Sequence, residues 1–282
     1  TKEDDVVGAI RQHLQGSGIP VEFSKGEWGP GQQEINIRYA DALQMADRHT
    51  LYKHIAKEVA WGQEKSISFM AKWDAEEAGS SCHVHMSLRD VDGGASAFVG
   101  EDAEALPGSH LECTPTFRHF VGGMLTHARD ITLCLATTVN SYKRFQPDTF
   151  APTAIAWSYD NRTSGFRVVG SGEGLRVECR VPGADVNPYL AYAALLAAGM
   201  DGVANATEPP PLFHGNAYVD TELPTIPASL SEAVDAADGS TFLRSAFGDD
   251  VVDHLVHFGR TEQSLYDAAV TDWERIRYFE RI

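Results

Sequence analysis

The chain has 282 residues, enough for one large domain or two ordinary ones and for a sizeable core. Lys and Arg number 23 against 40 Asp and Glu, a formal charge of −17. That excludes nucleic acid or an anionic membrane as partners held through surface charge, but not anions held in a locally basic pocket.

Val6, Val7, Ile10 and Leu14 recur at helical spacing behind Glu3-Asp4-Asp5, and Gly16-Ser17-Gly18 stops that helix. Residues 19–23 read as a strand, 25–31 as a loop rich in glycine, and 33–39 as a second strand pairing antiparallel with the first. A long helix follows over 40–61, then strands over 66–72 and 82–89, and a turn at Asp92-Gly93-Gly94. Thr114-Pro115 opens a helix running to about Ala136, and 140–182 carries arginines, glycines and short β-like runs. Tyr189 to Met200 is apolar for about a dozen residues, short of the roughly 20 that span a bilayer. It reads as a buried helix with Asn187 as N-cap and Pro188 at the first helical position. A proline-rich loop covers 209–227, and the sequence after Ser229 reads as a helical bundle. Cys82, Cys113, Cys134 and Cys179 form no CxxC pair, and no signal-peptide pattern opens the sequence. Both features fit free thiols in a reducing, cytoplasmic compartment. The expected fold is a single α+β domain over 1–282, an antiparallel sheet flanked by helices.

Three groups of residues could carry chemistry. Glu27 and Glu34 flank the glycine-rich loop, so they can share a hard cation or be ordinary surface-strand carboxylates. His83 and His85 lie two apart on a strand and share a face, which suits a metal, a phosphate or plain packing. Arg144, Arg162, Arg167, Arg176 and Arg180 concentrate in one segment of an acidic chain. Arg176, Glu178 and Arg180 alternate onto one strand face, which makes either a structural ion-pair network or a place for a metal and a polyphosphate. Carboxylates for divalent metal and arginines for phosphate are the equipment of phosphoryl transfer. No Walker A loop or kinase-type glycine loop is present.

Longer runs narrow this down. Gly26-Glu27-Trp28-Gly29-Pro30-Gly31-Gln32-Gln33-Glu34, Gly79-Ser80-Ser81-Cys82-His83-Val84-His85-Met86-Ser87-Leu88 and Asn140-Ser141-Tyr142-Lys143-Arg144-Phe145 occur in that order. Asp160-Asn161-Arg162-Thr163, Arg176-Val177-Glu178-Cys179-Arg180-Val181-Pro182 and Asn187-Pro188-Tyr189 follow them. Together they resemble the catalytic domain of the glutamine synthetase family over nearly the whole chain. The resemblance implies a glutamine synthetase/guanido kinase-like fold with a curved antiparallel sheet. It also implies ATP-dependent joining of the glutamate γ-carboxylate to ammonia or an amine through a γ-glutamyl phosphate. By resemblance Glu27 and Glu34 match ligands of one Mg²⁺ or Mn²⁺, and His83 and Glu178 ligands of another, with two or three ions in all. Arg162 and Arg167 match arginines that hold phosphates. Arg144 and Arg180 match those that grip glutamate or the transferring group, and Gly79 the backbone beside glutamate. Tyr39, His85, Ser87 and Arg176 match positions around the nucleotide. The partners implied are ATP, glutamate, a small amine and further copies in a homo-oligomeric ring, hexamer or dodecamer.

Three departures qualify the resemblance. Phe150 stands where ammonia-using members carry a Glu that helps bind ammonium and takes its proton. A phenyl ring does neither but can wall in a substituted amine. With Phe166-Arg167-Val168-Val169-Gly170, it points to the γ-glutamyl-amine ligase branch, which uses polyamines, ethanolamine or similar amines. Ala78-Gly79-Ser80-Ser81-Cys82 replaces the usual Asn-Gly-Ser-Gly-Met, which alters the glutamate contact. Neither a β-grasp domain nor a Glu-x-Glu strand is found before Glu27, so a truncated chain, inactive by itself, is expected. True glutamine synthetase and a non-catalytic assembly protein are the alternatives.

Overall fold

The structure is a computed structural model and describes residues 3–91, 94–146 and 149–281. Its N-terminal part packs a hairpin on two helices. Helix α1 (Asp4–Gly16) buries Val6, Ile10 and Leu14 against Ala56 and Ala60 of α2 (Ala42–Gly62). Strands β1 (Val21–Gly26) and β2 (Gln33–Ile37) pair antiparallel, as the alternation requires, and lay Ile35 and Ile37 on the same small core.

Residues 66–72 form no strand, contrary to the sequence expectation. At the end of this stretch a side chain takes the place of a ladder: Lys72 N–H donates to Asn140 Oδ1 at 3.0 Å, and Asn140 Nδ2 donates back to the Lys72 carbonyl at 2.7 Å. Strand β3 is shorter than expected (Val84–Met86), and the minor strands β4 (Glu104–Ala105) and β5 (Glu112–Cys113) were not legible. Asp92 and Gly93, the first two residues of the expected turn, lie outside the described residues.

The helix expected to reach Ala136 breaks at His127 into α3 (Pro115–Thr126) and α4 (Thr132–Leu135). His127 turns there to pair with Asp130 at 3.5 Å and Asp201 at 2.8 Å. A short helix, α5 (Val139–Lys143), then opens the arginine-bearing segment and ends at Arg144.

The central sheet orders β3, β8 (Arg176–Cys179), β7 (Phe166–Val169) and β6 (Trp157–Tyr159). It is mixed, which corrects the antiparallel expectation: β7 and β8 and β3 and β8 run antiparallel, but β6 and β7 are parallel. Parallel neighbours normally need a crossover of a dozen or more residues. Here the return takes only residues 160–165, with Asp160 at φ +45 and an Asn161 side chain that accepts from the Thr163 N–H.

Helix α6 (Pro188–Ala204) is the buried apolar helix, with Asn187 capping it and Pro188 at its start. It crosses α3 at backbone distance. A Cβ on Gly123 would lie 2.1 Å from the Ala198 carbonyl, and one on Gly202 2.1 Å from that of His119, so glycine is required at the crossing. The main core joins the sheet to α3, α4, α6 and the C-terminal helices α7 (Leu230–Asp238), α8 (Thr241–Phe247) and α9 (Asp249–Asp267), whereas the last helix, α10 (Asp272–Tyr278), buries no residue. No helix among the described residues is long and apolar enough to cross a membrane. Four free thiols are found, and burial pushes Cys82 up to about 11 and Cys134 and Cys179 to about 12. They are thus held as unreactive thiols.

Candidate active site

The register of the central sheet builds the first cluster. His85 of β3, Glu178 of β8 and Arg167 of β7 are direct cross-strand partners, so their side chains stand on one face. His83 and Arg180 lie two residues along on the same face. Glu178 is only 2% exposed. Its Oε1 accepts from Arg180 Nη1 at 2.9 Å and its Oε2 from Arg167 Nη1 at 3.1 Å. His83 Nδ1 is 3.3 Å and His85 Nε2 3.7 Å from the same Oε1. Asp160 takes the remaining edge of Arg167, and Arg176 donates from Nε to His85 Nδ1 at 3.3 Å.

Burial works against a charge on Glu178, but Arg180, the two histidines and Arg167 outweigh it and hold the carboxyl below the usual range. His83 moves for related reasons: burial first, then Arg180, take it down to about 3, so the imidazole is neutral. A neutral imidazole keeps a lone pair on one of its two nitrogens, and His83 Nδ1 already faces the carboxylate. The ring's Nε2 is buried and has no hydrogen-bond partner among the described residues.

The hairpin builds the second cluster. Lys25 faces Glu34 across β1 and β2. Lys25 Nζ stands 2.7 Å from Glu27 Oε1 and 3.1 Å from Glu34 Oε2. Burial alone would raise Glu34, but its contacts with Glu27, Asn36 and Lys25 take it down to about 2. The two carboxylates therefore do converge, and a cation sits between them.

Gln32 and Gly79 tie the hairpin to the rest of the site. The Gly29 N–H donates to Gln32 Oε1 at 3.0 Å, and Gln32 Nε2 donates to the Gly79 carbonyl and to Ser80 Oγ, both at 3.1 Å. A Cβ on Gly79 would lie 2.6 Å from Arg144 Cγ and 2.7 Å from the Ala71 carbonyl, so only glycine lets Arg144 pass. Arg144 is 2% exposed and donates from Nη2 to the Val181 carbonyl beside Arg180. Burial draws it down to about 10, so it remains a cation. Its Nε and that of Arg180 are buried without partners among the described residues. Asp185 fixes the helix that carries Arg144: its Oδ2 accepts from Thr138 and Ser141, the two members of the α5 capping box.

Phe150 is exposed and meets Trp28 of the hairpin loop edge-on, with ring centroids 5.9 Å apart. The structure thus gathers Glu27, Glu34, Gly79, His83, His85, Arg144, Phe150, Arg167, Arg176, Glu178 and Arg180 into two linked clusters. Arg162 is exposed in the β6–β7 turn, Ser87 just past β3, and Tyr39 beside the Arg38 guanidinium. No hydrogen bond or ion pair among the described residues joins these three to the clusters. Lys25, Trp28, Gln32 and Asp185 were not singled out from sequence. Trp28 had a signal, an aromatic inside a glycine-rich loop where no core could use it.

Among the described residues no three His, Cys, Asp or Glu side chains converge as a complete metal-holding set. The donor types nevertheless suit a hard or borderline divalent cation: an unpartnered imidazole nitrogen with an ionised carboxylate, and a carboxylate pair already arranged around a positive charge.

A family model described as glutamine synthetase, catalytic domain, matches residues 1–278. A gamma-glutamylethanolamide synthetase, GlnA4, of Streptomyces coelicolor is 47% identical over 97% of this chain and 56% of its own length. A glutamate–isopropylamine ligase of a Pseudomonas species is 38% identical over 100% of this chain and 61% of that protein. The glutamine synthetase of Mycolicibacterium smegmatis is 36% identical over 97% of this chain and 63% of that protein. Among solved structures, ligand-free GmaS superposes with a TM-score of 0.88 at 32% identity, over 99% of this chain and 63% of that one. The chain spans a little over half the length of these relatives.

Proposed function

The chain belongs to the glutamine synthetase family, and on that premise we propose that it carries the catalytic residues of an ATP-dependent glutamate–amine ligase. The γ-carboxylate oxygen of glutamate attacks the γ-phosphorus of ATP and ADP leaves. The amine nitrogen then attacks the acyl phosphate, phosphate leaves with the C–O bond electrons, and the nitrogen gives up a proton. The first step brings anions together, so fixed cations must offset the charge.

The chain's own residues suit that demand. Arg167 and Arg180 stand on either oxygen of Glu178 and present guanidinium groups at one face of the sheet. Arg144, a buried cation against Gly79, suits the glutamate carboxylate, and the exposed Arg162 suits the transferring phosphoryl group. His85, Arg176, Ser87 and Tyr39 are assigned to the nucleotide. His83 with Glu178, and Glu27 with Glu34, would hold divalent cations, Mg²⁺ or Mn²⁺; two protein ligands apiece is in keeping with an ion that keeps waters and binds substrate phosphates. When bound, such ions neutralise the phosphate oxygens and polarise the transferring group.

The preference for an amine over ammonia rests on one observation: Phe150, exposed beside Trp28, offers neither a proton acceptor nor a counter-charge. The relatives' names favour the same branch, although the isopropylamine ligase and the mycobacterial glutamine synthetase differ little in identity to this chain. A single catalytic domain, assembly into a homo-oligomeric ring and a cytoplasmic location complete the proposal. Exposed Trp61 on α2 and Ile276 and Phe279 near the C-terminus supply apolar surface for such assembly. The test is phosphate release by the full-length gene product with ATP, glutamate and, in turn, ethanolamine, ethylamine, putrescine and ammonia. A clear preference for ammonia overturns the amine reading.

A further inference from the structure

Trp28 is 79% exposed and Phe150 59%, yet the two rings meet edge-on across segments far apart in sequence. Neither contributes to a core, and exposing two large aromatics to water is unfavourable. Each ring is also held in place. Phe150 has φ +58, a left-handed conformation that a bulky residue rarely adopts and that persists where the surroundings impose it. Ala151 and Pro152 are buried directly behind it, and Thr149 Oγ1 donates to the Arg144 carbonyl at 2.8 Å. Trp28 sits in a loop closed by Glu27 N–H to the Gln32 carbonyl at 2.9 Å and Gln32 N–H to the Gly29 carbonyl at 3.0 Å. Gln32 in turn holds Gly79, which packs on Arg144. Contacts thus run from the loop that carries Trp28 through Gln32, Gly79, Arg144 and Thr149 to Phe150, whose ring meets Trp28.

We infer that Trp28 and Phe150 form an aromatic corner that takes the carbon-bearing end of a primary alkylamine, with Trp28 as its second specificity-determining residue. This rests on the amine-ligase reading above and adds to it the residue opposite Phe150 and the ligand chemistry. Ring faces attract an alkylammonium through the π-quadrupole, and ring edges pack against its methylenes. Ammonium has no carbon to pack, so the corner discriminates by the hydrocarbon alone.

The experiment uses the full-length gene product and its Trp28→Ala and Trp28→Phe variants, with circular dichroism to confirm folding. The ratio of kcat/KM for ethylamine to that for ammonia is expected to fall at least about tenfold in Trp28→Ala, the change lying in the KM for ethylamine. Trp28→Phe, which keeps a ring, is expected to hold the ratio within about threefold of wild type, because the packed surface survives. An unchanged ratio in Trp28→Ala, or an equal fall in both variants, overturns the inference. A wild-type preference for ammonia overturns the parent reading instead. In that event calorimetry with ethylammonium chloride, which needs no turnover, decides the corner separately: at least about tenfold weaker binding to Trp28→Ala supports it, and equal binding overturns it.

Discussion

The hairpin and the central sheet each hold a glutamate among charged partners, in opposite surroundings. Glu34 keeps 36% of its side chain exposed and meets a half-exposed lysine, whereas Glu178 keeps 3% and lies between two guanidinium groups and two imidazoles. Half-exposed ion pairs gain little net energy, because water already solvates their charges. A buried pair is different: each charge is tolerable only because the other is there. The hairpin can therefore exchange Lys25 for another cation at small cost, while Glu178 is bound into the fold itself. The proposed site thus combines an adaptable end with a rigid one.

The largest test of that contrast is Glu178→Gln. It leaves Arg167 and Arg180 without their buried counter-charge and is expected to cost about 3–5 kcal/mol in chemical denaturation. A loss below about 1 kcal/mol would place Glu178 with the exposed pairs and erase the distinction. Next is Gly79→Ala, whose Cβ would meet Arg144 at 2.6 Å and the Ala71 carbonyl at 2.7 Å. A loss of about 1–3 kcal/mol is expected, read by the same unfolding assay, with a raised KM for glutamate as Arg144 is displaced. The double change Glu27→Gln and Glu34→Gln should alter stability by less than about 1 kcal/mol. Calorimetry should nonetheless find Mg²⁺-dependent ATP binding weakened at least about tenfold; an unchanged affinity would remove the hairpin from the metal site.

The smallest effect lies away from both clusters, at His127. Burial lowers its pKa, but its bonds to Asp130 and Asp201 outweigh burial and leave the pKa raised from 6.5. A raised histidine stabilises fully below its unfolded value, and that contribution is lost as pH rises through the folded value. Thermal unfolding should thus show slightly higher stability near pH 6 than near pH 9, by less than about 1 kcal/mol. Asp201→Asn should flatten that slope, and an unchanged slope would clear His127 of it.

Much of this was legible along the chain because it depends on local spacing. Alternation placed Glu178 and Arg180 on one face and His83 and His85 on another strand's single face, and the register then brought them together. The Asn187-Pro188 start of α6 is local chemistry and was readable for that reason. The strand expected at 66–72 did not form, and at Lys72 it is Asn140, distant in sequence, that bonds the backbone N–H and carbonyl. The helix expected to reach Ala136 failed because His127 has partners on α6 that no local pattern reveals.

The sequence alone determined the residue types, the order of the motifs and their alternation, and with them the family and the chemistry expected. Those follow from covalent spacing and side-chain periodicity. Only the tertiary structure decided that β6 and β7 run parallel, that Gly79 must be glycine because Arg144 passes over it, and that Trp28 meets Phe150. Each of these depends on close packing between segments far apart in the chain, where tenths of an ångström decide what fits.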